Sequence, residues 1–249
     1  MDVEVLGELH KTILGLKAPD GLISELHGVM AEVGLPWPSN WEDAWTCIKR
    51  VWGSKWNERA HLSRRTRGIP HADLFMAVLI QEVVEADYSF VIHTVNPSTG
   101  NQDEIYAEIV PGLGETLVGN YPGKALSFTC KKGRDEPQLL AFPSKSVALF
   151  GSGLIFRSDS NGEDLAGYAG AGLYDSIMLE PPVKVPLDYT RELLMGNEDF
   201  RKDFLATVAD IGAVIEKAMG FPQDIEGVYS KGQYYVVQTR PQVGIKDAC

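Results

Sequence analysis

The sequence predicts an α+β fold built mainly from antiparallel sheet with flanking helices. Three observations carry that prediction. Short runs rich in β-branched and aromatic residues recur at 76–84, 88–94, 104–110, 125–130 and 147–150, and turn-forming residues separate them. Helical periodicity is confined to the first third of the chain and to residues 197–219. The chain closes on two β-rich runs flanking Ser230-Lys231-Gly232, which read as a hairpin.

With 249 residues, 44% of them hydrophobic, the chain can bury the core of one large domain or two small ones. A formal charge of −11 and a pI near 4.9 argue against a general binder of nucleic acid or of anionic membranes. A local basic cluster (Lys49, Arg50, Lys55, Arg59, Arg64, Arg65 and Arg67) stands out from that background. It reads either as a solvated helix face or as a phosphate-facing surface. Cys47, Cys130 and Cys249 are far apart and odd in number, as expected of reduced thiols in a reducing compartment. No apolar run is long enough for a bilayer, and the acidic start Met1-Asp2-Val3-Glu4-Val5 lacks signal or transit character.

Taken in order, residues 4–16 and 20–33 form two amphipathic helices, separated by Lys17-Ala18-Pro19-Asp20-Gly21. All five tryptophans fall between Trp37 and Trp56. Ser39 and Glu42 offer a capping box for a third helix, and Trp41, Ala44, Trp45, Ile48 and Trp52 share its core face. A basic stretch follows. The run Met76 to Val84, broken by Gln81-Glu82, is then expected to join the strands at 88–94 and 104–110 in one antiparallel sheet. Asn96-Pro97-Ser98-Thr99-Gly100 makes the turn between the last two. Gly112 and Gly114 before Glu115 read as a phosphate nest or, more commonly, as a plain turn. His10 and His27 have no ligand partner at metal spacing.

Two segments carry unusual polar chemistry. From Ile155 to Tyr174, a strand ending in Arg157 opens into Ser158-Asp159-Ser160-Asn161-Gly162-Glu163-Asp164 and an Ala/Gly-rich loop. Glycine-freed amides beside one arginine suit an oxyanion or triphosphate, and a mobile surface loop is the competing reading. In the terminal hairpin a three-residue loop with left-handed Gly232 would pair even positions with even ones. Asp224, Glu226, Gln238 and Arg240 then share one face, with Val228, Tyr234 and Val236 nearer the tip, and Ile225, Tyr235 and Val237 on the other. Two carboxylates, an amide and a guanidinium on one face suit a divalent cation and a polyphosphate. An internal Asp–Arg ion pair without a ligand explains the same pattern.

The ordered set Asn96-Pro97-Ser98-Thr99-Gly100, Gly112-Leu113-Gly114-Glu115, Arg157-Ser158 to Glu163-Asp164, and Asp224-Ile225-Glu226 to Gln238-Thr239-Arg240-Pro241 resembles a known domain. It is the nucleotide-binding domain shared by pyruvate phosphate dikinases, phosphoenolpyruvate synthases and the plant α-glucan, water dikinases. Trp56-Asn57-Glu58-Arg59-Ala60, Gln81-Glu82-Val83-Val84, Ile92-His93-Thr94 and Phe156 to Asp164 look most like the starch-related members, and the resemblance runs from about residue 37 to 243. It divides the chain into an N-terminal helical segment, 1–36, and the C-terminal part of the ATP-binding domain, 37–249.

What the resemblance implies is an ATP-grasp fold and a dikinase reaction. ATP gives its β-phosphate through a phosphohistidine to α-glucan (starch), and its γ-phosphate to water. By motif match, Glu226 and Gln238 are the Mg²⁺–ATP ligands and Asp224 is a supporting or ribose-side carboxylate. Arg240 and Arg157 hold the transferring phosphates, and Gln81, Glu82 and Val83 give backbone contacts to adenine. Glu115 joins the nucleotide-binding set. His10, His27, His61, His71 and His93 all lack a phosphohistidine context, so that histidine is expected on a separate domain. The implied partners are ATP, α-glucan and the phosphohistidine domain, with a second copy of the chain also admitted and neither nucleic acid nor membrane expected. The implied location is the plastid. Rival readings are the nucleotide domain of another dikinase of the family and a truncated product without turnover.

Overall fold

The computed structural model describes residues 3–119, 121–133, 136–165, 168–169 and 172–243. Helices α1 (Val3–Leu14), α2 (Leu22–Glu32), α3 (Trp41–Ser54) and α4 (Glu58–Thr66) come first, followed by a 3-10 turn at His71–Asp73. Strands β1 (Met76–Glu82), β2 (Tyr88–His93) and β3 (Glu104–Pro111) lead to the short helix α5 (Glu115–Val118). Next are β4 (Leu126–Lys131), β5 (Gln138–Ala141), β6 (Val147–Phe150), β7 (Leu154–Ser160), β8 (Asp164–Leu165), β9 (Tyr168–Ala169), β10 (Ile177–Met178) and β11 (Val183–Pro186). A single turn, α6 (Leu193–Gly196), precedes the long helix α7 (Glu198–Met219), and β12 (Gln223–Ser230) and β13 (Gln233–Pro241) close the chain.

The chain forms two compact units, 1–83 with 152–181, and 84–151 with 182–249. The expected boundary near residue 36 is not where the chain divides. Trp45 Nε1 donates to the Leu16 carbonyl at 3.0 Å and Lys49 Nζ to the Leu14 carbonyl at 2.8 Å, which ties the first helix to α3. Met30 of α2 is buried with Trp45, Ile48 and Val51 in the same core.

In the first unit, the sheet order is β1-β7-β10, all antiparallel. Leu154 and Phe156 of β7 point into the tryptophan-rich core, where they meet the stripe of α3. That stripe is core, as its spacing predicts: Ala44, Trp45 and Ile48 are buried, and Trp41 and Trp52 pack against them. The cap is one residue later than expected, because Asn40, not Ser39, accepts the Glu42 amide at 3.0 Å. β1 also departs from expectation. It pairs with β7, over seventy residues away, and does not join β2 and β3. Local alternation marks a strand but does not choose its partner.

The second unit is a six-stranded antiparallel sheet, β13-β12-β2-β3-β4-β5. Its alternating residues Phe90, Ile92, Ile105, Ala107, Ile109, Phe128 and Ile225 meet Phe204, Leu205, Val208 and Ala209 of α7. Gly212 lets the helix approach closely, since a Cβ there would lie 2.9 Å from Ile92 Cγ2. Asn197 caps α7 by accepting the Phe200 amide at 3.0 Å. Gly220 ends the helix in a left-handed conformation, φ 81°, with its amide 2.8 Å from the Glu216 carbonyl. The expected turn at 96–100 forms around Asn96, whose Oδ1 accepts the Ser98 and Thr99 amides at 2.9 and 3.2 Å.

Candidate functional site

The terminal hairpin is built from its buried base upward. Gln223 is fully buried: its amide donates to Thr94 Oγ1 at 2.8 Å and its Oε1 accepts from Thr239 Oγ1 at 2.7 Å. This pins β12 and β13 together and fixes the register one residue later, where Asp224 faces Arg240 and Glu226 faces Gln238. The four predicted polar residues therefore do share a face. The route to that register differs from the expected one. The loop is the two-residue Lys231-Gly232, both at positive φ (50° and 86°), so the tip pairs odd with even positions and Tyr229 faces Tyr234. A bulge past Glu226 then places Gly227 opposite Val236, leaves Val237 as the extra residue, and restores even-with-even pairing at the base. As a result Tyr234 packs into the α7 core with Ile225 and is not on the polar face.

On that face Arg240 and Asp224 form a half-buried ion pair, with Arg240 Nη2 and Nε at 2.6 and 2.9 Å from Asp224 Oδ2. The other oxygen, Oδ1, is 3.8 Å from His93 Nδ1 on β2. The internal ion pair is thus present, and Arg240 is oriented by it. Register extends the polar rows across the sheet. Asp224 is followed by His93, Tyr106 and Thr129; Glu226 by Val91, Glu108 and Ser127. Tyr106 donates to Glu108 Oε1 at 2.8 Å. Burial, then this bond to a carboxylate, pushes the phenol up to about 12. Sequence reasoning did not place His93, Tyr106, Glu108, Ser127 and Thr129 on this face. Their signal was period-2 alternation in β2–β4, which places them on the face opposite α7.

Glu226 and Gln238 supply one carboxylate and one amide oxygen. Among the described residues no group of three or more His, Cys, Asp or Glu is arranged to hold a metal. The donor set therefore fits an ion that takes one or two protein oxygens and completes its shell with phosphate and water, as Mg²⁺ does, rather than an all-protein cage.

The other predicted residues are distributed as follows. Glu115 lies exposed in the first turn of α5. Two amides of the turn before it are already engaged. The Gly112 amide donates to the Asp87 carbonyl at 2.9 Å and the Leu113 amide to Leu149 at 2.7 Å, so those donors are spent on the fold. In the first unit, Gln81 and Glu82 end β1, and the Val83 amide donates to the Gly153 carbonyl at 2.8 Å. Arg157 stands opposite Leu79 on β7, with Nη1 3.3 Å from Gln81 Oε1. Its polar neighbours knit the loop: Ser158 Oγ donates to Glu163 Oε1 at 2.5 Å, the Ser160 amide to Glu163 Oε2 at 3.2 Å, and Asn161 Oδ1 accepts the Phe75 amide at 2.8 Å. Parts of the Ala/Gly-rich stretch after it, 166–167 and 170–171, lie outside the described residues, as does Cys249. Cys47 and Cys130 are buried. No described helix is long and apolar enough to cross a membrane.

Residues 9–127 match the model of the pyruvate phosphate dikinase AMP/ATP-binding domain, and the chain belongs to that dikinase family, whose nucleotide-binding domain is ATP-grasp-like. Within it, the chain is 55% identical over 97% of its length to the chloroplastic alpha-glucan water dikinase of Solanum tuberosum and spans 17% of that protein. To alpha-glucan water dikinase 1 of Arabidopsis thaliana it is also 55% identical over 97% of its length, spanning 18% of that protein. It is 27% identical over 80% of its length to the phosphoenolpyruvate synthase of Pyrococcus furiosus, spanning 22%. The chain thus corresponds to one segment of much longer relatives.

Proposed function

We propose that this chain is the nucleotide-binding portion of an α-glucan, water dikinase, and that its hairpin holds Mg²⁺–ATP. One observation carries the reading. Glu226 and Gln238 stand opposite each other, one row from the Asp224–Arg240 ion pair, on the sheet face away from α7. Glu226 and Gln238 would hold Mg²⁺, which when bound would supply positive charge to offset that of the phosphates. Asp224 engages two of the three guanidinium nitrogens of Arg240 and so holds that side chain in one orientation. Phosphoryl transfer needs this kind of positioning and charge neutralisation more than covalent help from the protein.

Arg157 is assigned to the phosphates and Glu115 to the nucleotide. The adenine contacts are assigned to the backbone of Gln81, Glu82 and Val83, of which the Val83 amide also donates to the Gly153 carbonyl. In the full reaction the β-phosphate goes to a histidine on another domain and then to α-glucan, and the γ-phosphate goes to water. The glucan reading is favoured over another dikinase by 55% identity to the glucan enzymes against 27% to the synthase. Three such relatives are named chloroplastic, which supports a plastid location.

The test is equilibrium titration of the chain with ATP, with and without Mg²⁺, for the native protein and for Glu226→Ala. Saturable binding that needs Mg²⁺ and is lost in the variant is the expected result. Binding of equal strength in Glu226→Ala would overturn the ligand assignment.

A further inference from the structure

The basic cluster at 49–67 is not absorbed by the nucleotide reading, and the first unit shows what it builds. His61 on α4 is only 4% exposed, yet neither ring nitrogen has a hydrogen-bond partner among the described residues. Its ring stacks on His71 with centroids 5.1 Å apart. His71 Nδ1 accepts from Arg64 Nε at 3.2 Å, so the proton of its neutral ring sits on Nε2. Arg64 is 2% exposed and also donates from Nη1 to the Lys55 carbonyl. Lys55 Nζ donates to the His71 and Leu74 carbonyls at 2.9 and 2.6 Å. Trp56 lies under both cations, 5.2 Å from the Arg64 guanidinium and 5.3 Å from Lys55 Nζ.

Arg59 at the edge of this cluster is paired with Asp175, whereas Lys55 and the two imidazoles face mainly cations. Burial pushes His61 and His71 below their ordinary values, and Arg64 lowers both further, with Arg65 acting on His61 and Lys55 on His71. Lys55 is lowered by burial and then by Arg64. No described carboxylate acts on any of the three. A cavity of about 390 Å³ opens onto the two imidazoles. Buried polar atoms without partners are rare in folded proteins and mark a ligand, ion or water that completes them.

We propose that the cavity lined by His61, Arg65, Gly68, Ile69, Pro70 and His71 binds a phosphate-type oxyanion, held by Arg65 and the two imidazoles. A divalent cation is the wrong guest, because Arg64, Arg65 and Lys55 repel it and the histidine rings stack instead of converging on a point. An apolar guest would leave the imidazole nitrogens unpaired. An oxyanion accepts from both rings and from Arg65 and offsets the local positive charge.

The source is either free phosphate or a phosphomonoester. The test follows the ring C–H signals of His61 and His71 by NMR during titration of the full chain with inorganic phosphate at constant pH and ionic strength. A second arm uses glucose 6-phosphate. Saturable shifts of both rings are expected, at least about tenfold weaker in Arg65→Ala, where one charged donor is lost, and unchanged in Arg240→Ala, on the other unit. Tighter binding of glucose 6-phosphate assigns the site to phosphomonoesters; equal or weaker binding assigns it to free phosphate. Three results would each overturn the proposal: no saturable shift in either arm, equal affinity in Arg65→Ala, or loss of the shifts in Arg240→Ala. Arg65 is exposed, so its substitution leaves the fold intact.

Discussion

The hairpin face and the His61 cavity gather charge in opposite ways. On the hairpin each charged side chain is placed by strand register, and Arg240 is met by Asp224 at 2.6 Å. Around His61 the groups come from the end of α3, from α4 and from the 3-10 turn at His71–Asp73, and no described carboxylate acts on Lys55 or on either imidazole. A compensated cluster is stable without its ligand and can offer a preorganised edge to it. An uncompensated one is costly when empty and becomes more stable when an anion enters. The first suits a site that binds and releases its ligand. The second suits a site that stays filled or reports the concentration of its ligand.

Substitutions test that contrast, beginning with the scaffold. Phe204→Ala removes a fully buried ring between α7 and the sheet that carries the hairpin, and should cost about 3–5 kcal/mol in chemical denaturation. A loss under about 1 kcal/mol would mean that α7 does not support the polar face. Next, Gly227→Ala would set a Cβ 2.2 Å from the Phe90 ring beside the bulge, and an overpacking cost of about 1–3 kcal/mol is expected. Asp224→Ala leaves Arg240 half-buried and unpaired, for a cost of about 1–3 kcal/mol. Adding Arg240→Ala should recover part of it, since the two residues share one interaction. Strict additivity would show that the pair is not coupled.

The smallest effect separates the two clusters most sharply. His61→Phe removes two buried nitrogens without partners, so in phosphate-free buffer it should be neutral or up to about 1 kcal/mol more stable. The same change should flatten the pH profile. In the folded chain His61 and His71 lie below the usual value near 6.5, so as pH falls the unfolded chain takes up protons first. Their contribution is complete above about 6.5 and is lost as pH drops from there through the folded-state values. Thermal melts between pH 7.5 and 5 should show this decline in the native protein and a weaker one in His61→Phe. An identical decline in both would place the titration elsewhere.

Much of the fold and the polar face of the hairpin could be read from residues alone. Strands were visible because polar and apolar side chains alternate, and α7 because Phe204, Val208 and Ile211 recur at helical spacing. The polar hairpin face was visible because two-residue periodicity survives any even register. The bulge was not, since nothing in Tyr235-Val236-Val237 distinguishes the extra residue from its neighbours. Lys231 hid the two-residue loop, because a lysine at positive φ is uncommon and sequence favours Gly232 alone. The partner of β1 was hidden because it comes from the other side of residues 84–151. The His61–His71 stack was equally hidden: neither helical nor strand spacing links residues ten apart across a turn.

The most direct test of the nucleotide assignment is hydrogen exchange of the backbone amides, read by mass spectrometry with and without ATP and Mg²⁺. β13 is an edge strand, so a nucleotide resting on the Glu226–Gln238 row should slow exchange across Gln223–Pro241, and the effect should vanish in Glu226→Ala. Nucleotide-dependent protection confined to other segments, with the hairpin exchanging as before, would contradict the account.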